Sequence, residues 1–339
     1  MFNTCKIADV SFTYTEEIGQ EGQNSKVYLA KDNHLEQQIV IKQVTKSTIS
    51  FQEYFREARL LYTGSHPNVV QINFAAQDND NIYISMPYYM NKSLSYRMKH
   101  VNFTAREIIR YSIQFLSGLH HIHTKGLMHF DIKPNNLMLS DRDEALLADF
   151  GLAEVTDLKL RAAPQMQYTT HIAPEYFTEN SFSFTYDIYQ AGMTIYRMAV
   201  GDEQFTDECN QLFTRGNVES DIRTGIFPSK KYEPHIPRKL QKVINKCLES
   251  NPNDRYQSVL DILNDLSSID DCCLDWRPVK IQHGKGWEKS SDGYKYTFTV
   301  ADGNTECYRL NSKDQRRKYS AMCQTGVNDS MIYRLLNNN

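Results

Sequence analysis

The chain has 339 residues, of which 40% are apolar and 23% are charged, and its formal net charge is −3. This composition is typical of a folded globular protein, and the small net charge gives no reason to expect the whole molecule on nucleic acid or an anionic membrane. No apolar run approaches the roughly 18 residues that a membrane helix needs, so no membrane association is expected.

The cysteines and the first residues favour a cytoplasmic location. Seven cysteines are scattered without a C-x-x-C pair, and adjacent Cys272 and Cys273 are expected to be partly buried thiols rather than a disulfide or a metal site. Residues Met1 to Lys6 lack a charged region followed by an apolar core, so no secretory signal is expected.

The first part of the chain is predicted to form short β-strands separated by polar turns. β-branched and aromatic residues recur at Ser11–Tyr14, Lys26–Ala30 and Gln38–Lys42. Gly19 and Gly22 lie between the first two runs, and on their own they indicate only a turn.

Three further segments precede the middle of the chain. Phe51–Leu61 has apolar residues at helical spacing and is followed by a His-Pro-Asn turn within Ser65–Val70. Ile82–Met86 reads as another strand. Lys42 ends an Ile-Val-Ile run, which is unusual for a lysine that only faces solvent.

The stretch His129–Asn136 carries side chains suited to phosphoryl transfer from ATP, and Asp149-Phe150-Gly151 follows it. Such transfer needs a carboxylate to receive the hydroxyl proton, a cation near the moving phosphoryl group and two oxygen-bearing ligands for magnesium. These are supplied, in that order, by Asp131, Lys133, Asn136 and Asp149. A hairpin of 137–139 with 145–148 is predicted to bring the last two together.

These motifs, with Ala173-Pro174-Glu175, Asp187 and Arg255 downstream, resemble the eukaryotic-type (Hanks-type) serine/threonine protein kinases. The resemblance implies an α+β fold with a two-lobed protein kinase domain over 1–268, its N-lobe about 10–90 and its C-lobe about 91–268. It also implies phosphorylation of serine or threonine in protein substrates, with ATP and Mg²⁺, or Mn²⁺ in its place. The architecture looks like that of soluble kinases carried by bacteria or their phages.

The resemblance also assigns roles by position. The catalytic residues are Asp131, Lys133, Lys42 and Glu57, and the metal ligands are Asn136 and Asp149. The ATP-binding residues are Gly19, Gly22, Ser25 and Val27 of an irregular glycine-rich loop, Lys42, the gatekeeper Met86, and the hinge residues Pro87 and Tyr89. Glu53 lies one helical turn before Glu57 and competes with it as the partner of Lys42.

Phe130 departs from the family pattern, because many members carry arginine before the catalytic aspartate. That arginine receives the phosphate of a modified activation segment, and phenylalanine cannot do so. Activity is therefore predicted not to depend on phosphorylation of Tyr168, Thr169 or Thr170.

The segment from Thr104 to Gly126 is predicted to be a helix that begins at a capping box of Thr104 and Glu107. It carries three histidines, His120, His121 and His123. A metal site is not expected there, since no acidic or thiol partner lies nearby in sequence.

Residues 276–339 are predicted to form a small β-rich domain of unknown function, followed by a short helix near Asp329–Leu336. A domain of this size would be marginally stable unless it docked on the kinase domain. The basic segment Lys313–Tyr319 could bind nucleic acid or an acidic partner, although such a cluster is more often a solvated face.

Two other functions remain open. The irregular glycine loop and Phe130 favour a non-catalytic ATP-binding scaffold (a pseudokinase), although every residue that does chemistry is present. A small-molecule phosphotransferase would share the catalytic and metal-binding carboxylates. The Ala-Pro-Glu motif with Arg255 argues against it, because that pair supports a peptide-binding segment.

Overall fold

The computed structural model of the protein describes residues 9–19, 25–46, 65–163, 169–313 and 315–338. A β-rich N-lobe, a helical C-lobe and a second β-sheet follow one another along the chain. The predicted α+β, two-lobed fold with a β-rich C-terminal appendage is therefore confirmed, whereas the proposed domain boundaries stay predictions.

Five strands form the antiparallel N-lobe sheet in the spatial order β1-β2-β3-β5-β4. They are β1 Phe12–Gly19, β2 Ser25–Asp32, β3 Gln38–Thr45, β4 Phe74–Gln77 and β5 Asn81–Pro87. Because successive side chains of a strand point to opposite faces, Ile39 and Ile41 are buried in one cluster, whereas Val40 and Lys42 line a cleft on the other face.

Seven helices are found in the described part of the C-lobe. They are α1 Leu94–Met98, α2 Ala105–Thr124, α3 Thr185–Val200, α4 Asp202–Arg215, α5 Val218–Arg223, α6 Arg238–Cys247 and α7 Val259–Ser267. The predicted capping box starts α2, since the Thr104 hydroxyl accepts from Glu107 N at 3.1 Å and the Glu107 carboxylate accepts from Thr104 N at 2.9 Å. Helix α3 is buried along nearly its whole length and lies within the main core.

Two short antiparallel strand pairs carry the loop that contains Asp131. Strand β6 (Leu127–Met128) pairs with β9 (Glu154–Val155), and β7 (Leu137–Leu139) pairs with β8 (Ala145–Leu147). The second pair is the predicted hairpin. Its ends are adjacent because Ala148 N donates to Asn136 O at 2.9 Å.

The appendage is a five-stranded antiparallel sheet with a helix packed on it. Its elements are β10 Arg277–Val279, β11 Lys285–Ser291, β12 Tyr294–Ala301, β13 Asn304–Leu310, β14 Arg316–Lys318 and α8 Asp329–Asn337. Trp276, Trp287 and Phe298 are buried in its own hydrophobic core. The sheet therefore has a core separate from that of the C-lobe.

Charged contacts dock the appendage on the start of α2. The Arg106 guanidinium donates from Nε and Nη2 to the two carboxylate oxygens of Asp275 at 2.6 and 2.9 Å. Arg277 Nη2 donates to Glu107 at 2.7 Å, and its Nη1 donates to Asn102 O at 2.6 Å. The docking that its small size led us to expect is present.

The basic segment near residue 316 forms the outermost strand of this sheet. The Arg316 guanidinium lies 3.8 Å from the centre of the Tyr308 ring, and Lys318 Nζ lies 3.7 Å from Glu306. Two of the basic side chains, those of Arg316 and Lys318, are thus engaged within the sheet. Binding of nucleic acid or an acidic partner stays a prediction.

None of the helices in the described ranges is long and apolar enough to cross a membrane. Cys272 is exposed, Cys273 is buried, and both are free thiols, as predicted. The exposed Cys272 is thus the more accessible of the two to solvent.

Candidate active site

A cleft with a cavity of about 620 Å³ lies between the N-lobe sheet and the β7–β8 hairpin, a volume typical of small-molecule sites. Its apolar lining includes Val27, Leu29, Val40, Val70, Met86 and Met138. Its polar lining includes Lys42, Asn136 and Asp149. The cleft therefore offers apolar walls for a flat ring and charged groups for an anion.

Asp131 is buried beside this cleft and is held by two neighbours in the same loop. Asn136 Nδ2 donates to Asp131 O at 2.9 Å and to its Oδ2 at 2.7 Å. Lys133 Nζ lies 3.0 Å from the same Oδ2. Burial raises the pKa of the Asp131 carboxyl group above its ordinary value, and the Lys133 ammonium opposes that rise.

Asp187 of α3 fixes the backbone that leads into Asp131. Its carboxylate accepts from His129 N and Phe130 N, each at 2.8 Å, and lies 2.8 Å from His123 Nε2. Asp187, one of the residues that carry the family resemblance, therefore supports this loop. His123 is thus engaged with a carboxylate, and among the described residues no cluster of three or more His, Cys, Asp or Glu side chains could hold a metal ion.

Phe130 is buried in the C-lobe core, with 1% of its surface exposed. Its ring centre lies 6.2 Å from that of Phe182 and 5.5 Å from that of Tyr186. Its φ of 64° is in the left-handed region, which residues other than glycine seldom adopt. The residue before Asp131 is therefore a buried aromatic side chain and cannot bind a phosphate group through a positive charge.

Lys42 of the N-lobe and Asp149 of the C-lobe form an ion pair at the cleft. Lys42 Nζ lies 3.3 Å from Asp149 Oδ1, and that oxygen also accepts from Gly151 N at 3.3 Å. The Lys42 ammonium holds the pKa of the Asp149 carboxyl group below its ordinary value. Asp149 is therefore an anion at neutral pH.

The donor set at this end of the hairpin fits a hard divalent cation. The side-chain Nδ2 of Asn136 donates to Asp131, which leaves its side-chain oxygen, Oδ1, to bind a metal ion. Asp149 supplies carboxylate oxygens, and both residues line the cleft. Mg²⁺ favours oxygen ligands and is commonly held by one or two protein groups together with substrate phosphates.

The predicted ATP-site residues fall in three groups. Seven of them line the cleft, namely Val27, Lys42, Met86, Pro87, Tyr89, Asn136 and Asp149. Gly19 ends β1 opposite Val27, and Ser25 begins β2, where only its backbone is described. Gly22 and Glu57, with its competitor Glu53, lie outside the described residues.

Sequence reasoning found Val27 and Met86 but missed the rest of the apolar lining, which includes Leu29, Val40 and Met138. Leu29 and Val40 had a readable signal, because each lies two residues from a predicted site residue in the same strand and must share its face. Met138 had none, since its place in the cleft depends on how the β7–β8 hairpin packs.

Glu175 and Arg255 form a buried ion pair beyond the cleft. Arg255 Nη1 and Nη2 donate to the two carboxylate oxygens of Glu175 at 2.8 and 2.7 Å. Arg255 also donates to the carbonyls of Thr185, Glu249 and Ser250. The pair predicted from the Ala-Pro-Glu motif is thus present, and it ties the segment before α3 to the loop before α7.

Comparison with known proteins agrees with this geometry. Residues 12–265 match the family model described as the protein kinase domain. Similar proteins include two named probable serine/threonine-protein kinases, from Clostridium acetobutylicum (29% identical, over 75% of this chain and 39% of that protein) and Clostridium perfringens (27%, 74% and 37%). Another is the Arabidopsis thaliana protein named mitogen-activated protein kinase kinase kinase 3 (30%, 70% and 38%).

The chain spans about two fifths of the length of these relatives, at 37–39%. They come from bacteria and from a plant, so the bacterial or phage source stays a prediction. The matched region covers both lobes and every described residue of the cleft. The chain therefore belongs to the protein kinase domain family.

Proposed function

We propose that the protein transfers the γ-phosphoryl group of ATP to serine or threonine hydroxyls of protein substrates. The observation that carries the proposal is the contact of Lys133 and Asn136 with the buried Asp131 carboxylate, beside a cleft that Lys42 and Asp149 line. This set combines a base, two cations and metal-binding oxygens within one site.

In this proposal Asp131 orients the substrate hydroxyl and accepts its proton as the oxygen attacks phosphorus in line with the departing ADP. Lys133, 3.0 Å from Asp131, stabilises the negative charge on the phosphoryl group in transfer. Lys42 binds the phosphates that remain with ADP. Its ammonium group lies 3.3 Å from Asp149 Oδ1, which places it beside the proposed metal ligand.

Asn136 and Asp149 would hold Mg²⁺, or Mn²⁺ in its place, through their oxygen atoms. When bound, the metal neutralises charge on the ATP phosphates. The low pKa of Asp149 keeps its carboxylate ionised for this role.

The hinge would bind adenine through backbone atoms. Pro87 has no N–H, but its carbonyl can still accept from the adenine amino group, and Tyr89 offers both an N–H and a carbonyl. Val40, Met86 and Met138 would contact the ring as apolar walls.

Three observations favour a protein substrate with serine or threonine. The Glu175–Arg255 pair braces the segment that supports a bound peptide in the family, and the relatives named above carry protein-kinase names. Lys133 at two residues after Asp131 is the serine/threonine-type arrangement.

Incubation of the purified protein with Mg²⁺, γ-labelled ATP and a generic protein substrate tests the proposal. We expect label on serine or threonine in the wild type and its loss in Asp131→Asn and in Asp149→Asn. Asp302→Asn, an exposed turn residue of the appendage, is the matched control and should retain labelling. Binding of ATP without transfer would favour the pseudokinase, and transfer to small molecules alone would favour the phosphotransferase.

A further inference from the structure

Gln190 of α3 makes two hydrogen bonds to the backbone on either side of Asp131. Its Nε2 donates to Phe130 O at 2.8 Å, and its Oε1 accepts from Ile132 N at 3.2 Å. The side chain is buried, with 3% of its surface exposed. Both peptide groups that flank Asp131 are therefore held by one carboxamide.

The chemistry of the two partners fixes which way this carboxamide points. Phe130 O can only accept a hydrogen bond and Ile132 N can only donate one, so a reversed amide would face both with the wrong atom. All of these groups are buried, where an unpaired polar atom is costly. A glutamine in this one orientation satisfies both, and a carboxylate cannot.

The loop around Asp131 needs such support because Phe130 has a left-handed φ of 64°. A residue other than glycine keeps this conformation only where its surroundings impose it. Asp187 holds the two N–H groups before Asp131, and Thr194 Oγ1 donates to Ile132 O at 3.2 Å. Asp187, Gln190 and Thr194 lie three and then four residues apart, so they share one face of α3.

We propose that Gln190 is a positioning residue for the phosphoryl transfer, which fixes Asp131 by clamping the peptide groups on either side of it. The inference rests on the proposed function, since Asp131 is the base there. Asp187 alone cannot do this, because the backbone groups it binds, His129 N and Phe130 N, both precede Asp131. The backbone that leaves Asp131 is held from α3 only through Gln190 and Thr194 among the hydrogen bonds described.

Two variants and a control test the clamp without reference to activity. Gln190→Met keeps the shape of the side chain but removes both hydrogen bonds, and Gln190→Glu removes only the donor. The control is Gln114→Glu, which keeps the single hydrogen bond of that side chain, in which Oε1 accepts from Ala145 N. Hydrogen exchange of peptides covering 128–136 should be faster in both Gln190 variants and unchanged in the control. If all three variants exchanged at the wild-type rate, the clamp would be overturned, whether or not the wild type transfers phosphate.

Kinetics separate positioning from a merely structural effect. We expect kcat to fall on the order of 10- to 100-fold in Gln190→Met, with the KM for ATP unchanged, because small misplacements of a reacting group have effects of that size. For Gln190→Glu we compare its kcat with that of the wild type at each pH between roughly 8 and 6. The variant should recover relative to the wild type as the pH falls, because the introduced carboxyl group, once protonated, can again donate to Phe130 O.

A kcat of Gln190→Met equal to that of the wild type would refute the positioning role. Failure of the wild type itself to transfer phosphate would instead count against the proposed function. The exchange experiment would still decide whether the clamp exists.

Discussion

Burial of the Asp131 carboxyl group bears directly on its proposed role as a base. Burial raises its pKa, Lys133 opposes that rise, and Asp149 adds to it. A base must be ionised, so we expect the rate to fall as the pH decreases through this raised pKa. The acid limb of the pH–rate profile should therefore lie above the ordinary range of an aspartate.

Lys133→Met should move this acid limb to still higher pH, because the cation that lowers the pKa of Asp131 is gone. The measurement is kcat/KM for a peptide substrate between roughly pH 5 and pH 8, which spans the region where a raised carboxyl titrates. ATP titrates equally in both proteins, so a difference belongs to the protein. Lys125→Met, at an exposed helix end, should keep the wild-type limb. A limb at the same pH in all three proteins would contradict the assignment.

Single residues were predictable where a short spacing carries their chemistry. Asp131 and Lys133 lie two residues apart, and Asp187 and Arg255 were assigned by resemblance. Gln190 was missed because its partners are backbone atoms about 60 residues away, which leave no trace in side-chain identity. Its only signal was a glutamine three residues after Asp187 within a helix that is otherwise mostly apolar.

At the scale of elements, the buried Glu175–Arg255 pair connects two parts of the C-lobe, with 5% and 0% of the side chains exposed. We expect Glu175→Ala to lower the free energy of unfolding by about 3–5 kcal/mol, because the arginine is left buried without its partner. Urea unfolding measures this loss.

The control is Glu219→Ala, which removes the partner of Arg223 in an exposed pair of 3.1 Å. There the free energy of unfolding should change by less than about 1 kcal/mol. Equal losses in the two variants would mean that the buried pair contributes no more than a surface pair.

The activation segment should work without phosphorylation, because Phe130 is part of an aromatic cluster and supplies no guanidinium to receive a phosphate. We expect the triple variant Tyr168→Phe, Thr169→Ala, Thr170→Ala to retain wild-type initial rates on a peptide substrate. Tyr168 and the side chain of Thr169 lie outside the described residues, so this prediction rests on Phe130 alone. Loss of activity that glutamates at the same positions restore would refute it.

Elements with a clear local pattern were predicted well, and one with a weak pattern was not. Helix α2 was readable from its capping box and apolar spacing, and hairpin β7–β8 from its two apolar runs. Strand β4 was missed, because four residues with two alanines carry too weak an alternation. Its pairing with β5 is a tertiary contact that the local sequence does not encode.

At the scale of the molecule, Arg277 links the appendage to the C-lobe through Asn102 O and Glu107. We expect Arg277→Ala to reduce the free energy of unfolding by about 1–3 kcal/mol, since it removes two charge-assisted hydrogen bonds from partly buried groups. Thermal and urea unfolding measure the loss. Arg317→Ala, on the exposed strand β14, should cause little change. Equal losses would show that Arg277 contributes nothing specific to docking.

That the appendage would dock was predictable from its size, but the surface it uses was not. The contacts join Arg106 and Glu107 with Asp275 and Arg277, about 170 residues further along the chain. No spacing rule relates such positions. Only the folded C-lobe brings them within hydrogen-bonding distance.

Glu107 uses one carboxylate oxygen to cap Thr104 N and the other to bind Arg277. A chimera that grafts this appendage onto another kinase domain would therefore have to carry over the first turn of α2 as well. Conversely, a chain cut near residue 268 would remove Asp275 from Arg106 and Arg277 from Glu107. The predicted domain border at residue 276 is therefore a poor place to recombine the chain, because Arg277 beyond it binds the same glutamate that caps α2.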